Sequence, residues 1–233
     1  MKQRILIAED DRDIVNLLTL YLENDGYEVV SAENGRDALE IARREPVDLA
    51  VLDIMMPEMD GYTLIRELRQ FSHMPILILS AKNQDTDKIL GLNMGADDYL
   101  SKPFNPLEMV ARVRSNLRRC HQFNTAGPAD GEGRMVLGPL VLDRNTCVLT
   151  KDGREIPLTP MEYKILALLM QSPNRIFTKQ QIYEQISGAF FESDENTIMV
   201  HISRIREKIE DDARKPRYIK TVRGLGYKFE SKS

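Results

Sequence analysis

Four polar features in the first half of the chain each stand at the end of an apolar run: the acidic run Glu9–Asp11, then Asp53, Ser80 and Lys102. Carboxylates that converge repel one another, and a hard divalent cation such as Mg²⁺ relieves the repulsion by taking oxygen ligands. An aspartate beside such a cation can attack a phosphoryl group and form an acyl phosphate, while the metal and a lysine neutralise the phosphoryl oxygens. The residues therefore predict a magnesium site at which an aspartate accepts a phosphoryl group and Ser80 donates a hydrogen bond to it.

Each of these residues has an ordinary explanation when it is taken alone. Acidic residues in loops usually serve solvation, an aspartate after a strand often caps a turn, and a lysine before proline is more often a surface residue. Their order along the chain and their common place at the ends of apolar runs favour a site.

The apolar runs alternate with amphipathic segments, which predicts five strands separated by helices. The predicted strands are Arg4–Ala8, Glu28–Ser31, Leu49–Leu52, Ile76–Ser80 and Asp98–Ser101. Continuous apolar runs suit strands that are buried on both faces, as in a parallel sheet covered by helices. Because sites in such sheets form at the carboxyl ends of the strands, we predict an α/β fold, a (βα)5 domain with a five-stranded parallel sheet, in which the four features share one pocket.

The second half of the chain has a different pattern, with strands first and helices after them. The predicted strands are Met135–Leu142, Cys147–Lys151 and Arg154–Leu158, and a terminal hairpin pairs Tyr218–Thr221 with Tyr227–Phe229. Between them, Thr159 and Thr178 each cap a helix, and a third helix covers Glu195–Glu210. These elements predict an α+β winged helix-turn-helix domain.

Length and composition predict two cytoplasmic domains. A chain of 233 residues can form two domains with separate cores, and the polar stretch 122–134 is predicted to be a linker between domains 1–121 and 135–233. Since no apolar run approaches the ~18 residues that cross a bilayer, and no secretory leader precedes the acidic run, we expect no membrane contact. Neither Cys120 nor Cys147 has the spacing of a metal site.

The charge is unevenly distributed. The chain has a net charge of −4, but the acidic excess lies in the first predicted domain. Basic residues predominate from Asn196 onward. Positive charge is therefore concentrated where the chain could meet a polyanion such as nucleic acid.

The acidic site carries further residues that together resemble a receiver domain. Besides Asp53, Ser80 and Lys102-Pro103, the chain has Met-Pro-Glu-Met-Asp-Gly at 56–61 and Gly-Ala-Asp-Asp-Tyr at 95–99. The resemblance, which covers residues 3 to 120, implies that Asp53 is the phosphoacceptor and that Lys102 pairs with the phosphoryl group. It also implies that Ser80 and Tyr99 change position together on phosphorylation and that the Lys102-Pro103 peptide is cis.

The same resemblance implies a Mg²⁺ (or Mn²⁺) cofactor. Asp10, Asp53 and the backbone carbonyl of Met55 would hold the ion, and Glu9 would assist. A phosphatase of the haloacid dehalogenase type would require a second aspartate two residues after the acceptor, where this chain has Met55. We therefore predict a switch with no separate substrate, and no enzyme.

A set of residues between 88 and 119 resembles the dimer surface of the OmpR/PhoB branch of response regulators. The resemblance implies three intermolecular ion pairs around a small apolar patch: Lys88–Glu108, Asp98–Arg112 and Asp97–Arg119, with Leu92 and Val110. Each exposed pair contributes only about 0 to 1 kcal/mol, so the pairs would fix the register and the patch would supply most of the affinity. Without that resemblance, charged residues of this kind would be explained as ordinary solvated faces.

The third helix of the second half has the pattern of a helix that enters a DNA groove. Its isoleucines recur at helical spacing and predict the buried face: Ile198, Ile202, Ile205 and Ile209. Six residues project away from or beside that face, where they could meet bases and phosphates: Asn196, Met199, His201, Ser203, Arg204 and Arg206. A solvated basic helix is the alternative. Arg223, on the glycine turn of the terminal hairpin, favours nucleic acid because it could reach an adjacent groove or phosphate.

The segments 197–206 and 221–227 resemble the OmpR/PhoB winged-helix output domain, with Met199 as in VanR-like regulators. The resemblance implies DNA contacts from His201, Arg204 and Arg206, and from Thr221 and Arg223 in the wing. It also implies a two-component response regulator whose partners are a sensor histidine kinase, promoter DNA, RNA polymerase and a second copy of the chain.

Two alternatives stay open. One is an enzyme or a phosphorelay carrier whose second half binds only protein. The other is a DNA-binding protein whose receiver is never phosphorylated and serves only as a dimer module.

Overall fold

Residues 2–82, 84–117, 133–187 and 195–230 are described by the computed structural model. The chain divides into two units, which separate between residues 117 and 118. Of the predicted linker, 122–134, only the last two residues fall within the described part, and Arg134 already belongs to a strand.

A five-stranded parallel sheet forms the centre of the first unit, as the apolar runs predict. Its strands are β1 (Arg4–Ala8), β2 (Glu28–Ala32), β3 (Leu49–Leu52), β4 (Ile76–Ser80) and β5 (Asp98–Ser101). They pair in the order β2-β1-β3-β4-β5. Every residue of β3 and β4 is buried, because helices cover both faces of the sheet.

Five helices follow the five strands. They are α1 (Arg12–Asn24), α2 (Gly35–Arg44), α3 (Gly61–Arg69), α4 (Asp85–Met94) and α5 (Pro106–Leu117). The first three helices each begin after a polar N-cap residue, which is Asp11, Asn34 and Asp60 in turn. The side chain of each cap accepts backbone N–H groups of the first helical turn. Since these caps immediately follow strands or short loops, each helix begins close to the carboxyl edge of the sheet.

An antiparallel sheet of four strands begins the second unit. Its strands are β6 (Arg134–Leu137), β7 (Leu140–Asp143), β8 (Val148–Lys151) and β9 (Arg154–Ile156), paired in sequence order. The single predicted strand over Met135–Leu142 is therefore wrong. Gly138 has a φ of 62°, a left-handed conformation that turns the chain and lets β6 pair with β7.

Three helices and a hairpin complete the second unit. They are α6 (Pro160–Gln171), α7 (Lys179–Ser187), α8 (Glu195–Ile209), β10 (Ile219–Val222) and β11 (Gly226–Phe229). Thr159 and Glu162 form a capping box at the start of α6, and the Thr178 hydroxyl accepts the Gln181 N–H at the start of α7. The four isoleucines predicted as the buried face of α8 are at most 1% exposed and lie in the core of this unit.

No helix within the described residues combines the length and the apolar character that crossing a bilayer requires.

The terminal hairpin is attached to the start of α7 by a two-residue bridge. Phe177 and Tyr227 exchange backbone hydrogen bonds of 2.8 and 2.9 Å. At Gly226 the φ is 142°, and a Cβ there would lie 2.0 Å from the carbonyl oxygen of Phe177. The close approach of the two backbones therefore requires glycine at 226.

We predict that Gly226→Ala destabilises the second unit by about 3 kcal/mol or more, because the methyl group adds a backbone clash to the strained φ. Gly224→Ala is the matched control, since Gly224 has a φ of 75° but nothing within 4 Å of an added Cβ. Gly224→Ala should lower the free energy of unfolding by only about 1 kcal/mol, because only the backbone conformation is unfavourable. Urea unfolding followed by hydrogen exchange in peptides of α7 and β11 measures both values, and equal losses would contradict the explanation.

Candidate functional site

Three carboxylates meet at the carboxyl edge of the parallel sheet. Glu9 and Asp10 follow β1 and Asp53 follows β3, and one oxygen of each lies within 4.8 Å of the others. Glu9 and Asp53 are buried, with 2% and 6% of their surface exposed, whereas Asp10 is exposed. The cluster therefore opens to solvent on one side, where an ion or a small anion could enter.

Lys102 joins two of these carboxylates. Its Nζ donates to Glu9 Oε2 and to Asp53 Oδ2, at 2.6 Å each. Burial lowers the pKa of Lys102, but the hydrogen bonds to Asp53 and Glu9 outweigh burial and raise that pKa overall. The lysine is therefore protonated, and its ammonium group bridges the two carboxylates.

One ammonium group does not balance the negative charge of the pocket. The pKa of Glu9 is raised, first by burial and also by the nearby Asp53, although the hydrogen bond from Lys102 acts in the opposite direction. Only oxygen ligands are offered by the three carboxylates. A hard divalent cation such as Mg²⁺ fits this donor set and would relieve the remaining repulsion.

The loop after β3 fixes the position of Asp53. Its Oδ1 accepts the Met55 N–H at 3.1 Å, so the Met55 peptide lies directly beside the carboxylate. A Cβ at Gly61 would lie 2.2 Å from the carbonyl oxygen of Asp53, so that α3 can begin this close to the site only with glycine. The part predicted for the Met55 carbonyl in holding a metal stays a prediction.

Ser80 and Tyr99 lie close to each other, and both contact the backbone of Lys82. Ser80 Oγ accepts the Lys82 N–H at 3.3 Å, and the Tyr99 hydroxyl donates to the Lys82 carbonyl at 2.6 Å. Burial raises the pKa of Tyr99 to about 12, and a hydrogen bond with Ser80 acts in the opposite direction. The Lys102-Pro103 peptide, which follows β5, is cis, as the resemblance implies.

Lys82 connects this pair to α4. Its Nζ lies 3.6 Å from Asp87 Oδ1 and 5.5 Å from the centre of the Tyr62 ring. The Tyr62 hydroxyl donates to the Asp87 carbonyl at 3.4 Å. These contacts join the Ser80 and Tyr99 pair to the first turn of α4. The sequence did not indicate the role of Lys82, because nothing in its immediate neighbours points to contacts with both β5 and α4.

Four of the six charged residues predicted for a dimer surface form ion pairs within one chain: Asp97, Asp98, Glu108 and Arg112. Arg112 is 3% exposed and binds Asp98 at 2.9 Å and Glu108 at 2.7 Å. Asp97 is fully buried, binds Arg69 at 2.8 Å and accepts the Ile76 N–H at 3.0 Å. The prediction of Asp97 as a surface partner of Arg119 therefore needs correction, because Arg69 of the same unit satisfies it. Arg119 lies outside the described residues.

The predicted apolar patch is also internal. Leu92 is fully buried and Val110 is 7% exposed, and Val110 lies in the core cluster of the first unit. Lys88 and Glu108 are half-buried, so they remain accessible from outside. Exposed apolar side chains on these helices are Leu90 and Met94 on α4 and Leu107 on α5. Helical periodicity in the sequence could not separate these residues from their buried neighbours.

The predicted DNA-contact residues of α8 fall into two groups: some are buried or paired within the second unit, and others are accessible from outside. His201 is completely buried, so its predicted contact with DNA is not compatible with its position. Arg204 Nε lies 3.2 Å from Glu162 Oε1 on α6, with 14% of the arginine side chain exposed. Asn196 is half-buried, and Ser203 is exposed beside Met199, which is 41% exposed.

Arg206 joins α8 to the hairpin. Its guanidinium donates to the Ile219 carbonyl at 2.7 Å and to Thr221 Oγ1 at 2.9 Å, and it lies 5.8 Å from the centre of the Tyr227 ring. Two predicted DNA-contact residues, Arg206 and Thr221, therefore contact each other in the free protein. Arg223 is exposed on the turn between β10 and β11.

Glu162 is a functional residue whose full role the sequence did not predict. It is fully buried, and besides Arg204 it binds Lys208 of α8, at 2.6 Å, while closing the capping box of α6. Arg204 and Lys208 are four residues apart and therefore share one helix face. That basic pair was the one available signal, and it did not identify the acidic partner on α6.

Comparison with known proteins agrees with this geometry in both units. The family model described as response regulator receiver domain matches residues 5–114, and the model described as transcriptional regulatory protein, C terminal, matches residues 153–229. The response regulator GtcR of Aneurinibacillus migulanus is 50% identical over 100% of this chain and 97% of its own length.

Two further proteins match almost the whole chain. The regulatory protein VanRc of Enterococcus gallinarum is 40% identical over 99% of this chain and 100% of its own. The crystal structure of response regulator DrrB, a Thermotoga maritima OmpR/PhoB homologue, is 29% identical and superimposes with a TM-score of 0.52, covering 99% of this chain and 100% of that one.

We predict that Glu162→Gln destabilises the second unit by about 3 kcal/mol, because two cations of α8 lose the buried charge that balances them. Glu155→Gln, an exposed position on β9, is the matched control and should change the free energy of unfolding by less than about 0.5 kcal/mol. Urea unfolding followed by hydrogen exchange in peptides of α6 and α8 measures both. A Glu162→Gln protein as stable as the control would show that the ion pairs do not anchor α8.

Proposed function

This chain belongs to the OmpR/PhoB type of two-component response regulators and carries their receiver and DNA-binding domains, and we propose that phosphorylation of Asp53 controls its binding to promoter DNA. The phosphoryl donor would be a partner histidine kinase. The bound protein would then control transcription by RNA polymerase. The observation that carries the proposal is the Lys102 ammonium, which lies between Glu9 and Asp53 beside the exposed Asp10.

The proposed reaction is phosphoryl transfer onto Asp53. An oxygen of the carboxylate attacks phosphorus, the bond from phosphorus to the donor breaks, and the donor leaves with the electron pair of that bond. Lys102 already hydrogen-bonds Asp53 Oδ2, so its ammonium can follow the charge onto the phosphoryl oxygens. Because Met55 stands two residues after Asp53, where a phosphatase would carry an aspartate that activates water, loss of the phosphoryl group would be slow, and the domain would act as a timed switch.

The same pocket would hold a divalent cation. Asp10, Asp53 and the Met55 carbonyl would be its ligands and Glu9 would assist, with Mg²⁺ or Mn²⁺ as the ion. When bound, the cation neutralises negative charge on the phosphoryl oxygens. The three clustered carboxylates and the single ammonium of Lys102 support this proposal, because they leave the pocket short of positive charge.

Ser80 and Tyr99 would transmit the change. A phosphoryl group on Asp53 offers new acceptor oxygens, and the Ser80 hydroxyl would turn toward them and donate. The Lys82 backbone, which contacts both Ser80 and Tyr99, would move with it. The contacts of Lys82 with Tyr62 and Asp87 support a path from the pocket to α4.

The phosphorylated form would dimerise through α4, β5 and α5. Lys88 of one copy would pair with Glu108 of the other. Arg112 would release Asp98 of its own chain and pair with Asp98 of the other copy, across a two-fold axis. The support is that these charged groups lie on adjacent elements and that Lys88 and Glu108 are accessible. The winged-helix domains of such a dimer would bind neighbouring half-sites with Asn196, Ser203, Thr221 and Arg223.

The phosphoacceptor is tested by intact mass after incubation with Mg²⁺ and acetyl phosphate. The wild-type chain should gain about 80 Da, one phosphoryl group, and should bind duplex DNA more tightly afterwards. Asp53→Asn should gain nothing, and Asp10→Asn should react at least about tenfold more slowly, because a metal ligand is lost. Asp13→Asn, in the first turn of α1, is the control that should react normally. An adduct that persists in Asp53→Asn would overturn the assignment.

The dimer surface is tested by charge exchange. With acetyl phosphate and Mg²⁺, sedimentation should show a dimer for the wild type and a weaker one for Lys88→Glu, since two like charges then oppose each other. The double variant Lys88→Glu/Glu108→Lys should recover most of the lost association, because the pair is restored with its charges exchanged. If the single variant dimerises like the wild type, Lys88 does not lie in the interface.

A further inference from the structure

The accessible face of α8 contains one large apolar side chain. Met199 is 41% exposed, in the second turn of a helix whose isoleucines are buried in the core. Asn196 and Ser203 lie three residues before it and four residues after it, and therefore on the same face. An exposed methionine between two small polar residues gains nothing for the free protein, because its apolar surface remains in water.

The histidine and the arginines of α8 that were predicted to contact DNA are buried or paired within the second unit. His201 is fully buried, Arg204 is paired with Glu162, and Arg206 donates to Ile219 and Thr221. Because these side chains are held within the second unit, the residues of α8 that were predicted to face a groove and remain accessible are Asn196, Met199 and Ser203. The sequence-dependent part of binding therefore falls to a face with an apolar centre.

We propose that Met199 determines specificity by packing against the 5-methyl group of a thymine in the major groove. This inference rests on the proposed function and adds the base that one residue recognises. Thymine is the only standard base with an apolar group on its major-groove edge, so an apolar side chain distinguishes it from the other three. The flexible thioether side chain of methionine adapts to such a surface without a polar group that would lose its hydrogen bonds.

The test removes one methyl group from the DNA. Short duplexes are first selected from a random-sequence pool by the full-length wild-type protein with Mg²⁺ and acetyl phosphate. Each thymine of the selected site is then replaced singly by deoxyuridine, which lacks the methyl group and keeps the hydrogen-bonding edge. Wild-type affinity at fixed salt should fall about fourfold at one thymine of each half-site, the value of one buried methyl group.

Variants of the protein assign the effect. Met199→Ala should bind the thymine and deoxyuridine duplexes equally at that position, and Met199→Leu should keep the difference because it keeps the apolar surface. Val136→Ala is the matched control, since Val136 is an exposed apolar residue on β6 and should leave the fourfold difference unchanged. A circular-dichroism melt of each variant verifies that the second unit remains folded.

The outcomes separate the two proposals. If no thymine of a selected site is sensitive to the methyl group, or if Met199→Ala keeps the whole difference, Met199 does not recognise thymine and the proposed function stands. If the wild-type protein enriches no duplex sequence at all, the proposed function itself fails.

Discussion

The first unit depends on placing two buried carboxylates side by side with only one ammonium between them. Glu9, Asp53 and Lys102 come from three strand ends that are distant in the sequence, and burying such charges is favourable only when each has a partner. A parallel sheet supplies that arrangement because the carboxyl ends of its strands lie on one edge. The imbalance of charge that remains in the pocket is the property on which the proposed binding of a cation and a phosphoryl group depends.

The surrounding backbone fixes the position of Asp53 in this pocket. Gly61 lets α3 begin against the carbonyl of Asp53, and the Met55 N–H holds the carboxylate itself. On the other side, Ser80 and Tyr99 both contact the backbone of Lys82, between β4 and α4. In the proposed function, a phosphoryl group on Asp53 would change α4 through the contacts of Lys82 with Tyr62 and Asp87.

The second unit uses a buried acid for a different purpose. Glu162 binds two cations of α8 and so anchors this helix to α6, while Arg206 joins the same helix to the hairpin. Basic residues that seemed available for nucleic acid are thus part of the framework that positions α8. What this framework leaves free is a small face around Met199, on which the choice of DNA sequence would depend.

The sequence determined the two folds and the order of the acidic site, because strand periodicity, helix caps and turn residues depend on near neighbours along the chain. Thr159 with Glu162 at the start of α6 and the apolar stripe of α8 could be predicted in this way. Tertiary structure alone decided that Asp97 pairs with Arg69, that Arg204 pairs with Glu162 and that His201 is buried. Periodicity gives the face on which a side chain lies, but its partner is the residue that the fold packs opposite that face. In both ion pairs this partner comes from a distant part of the chain.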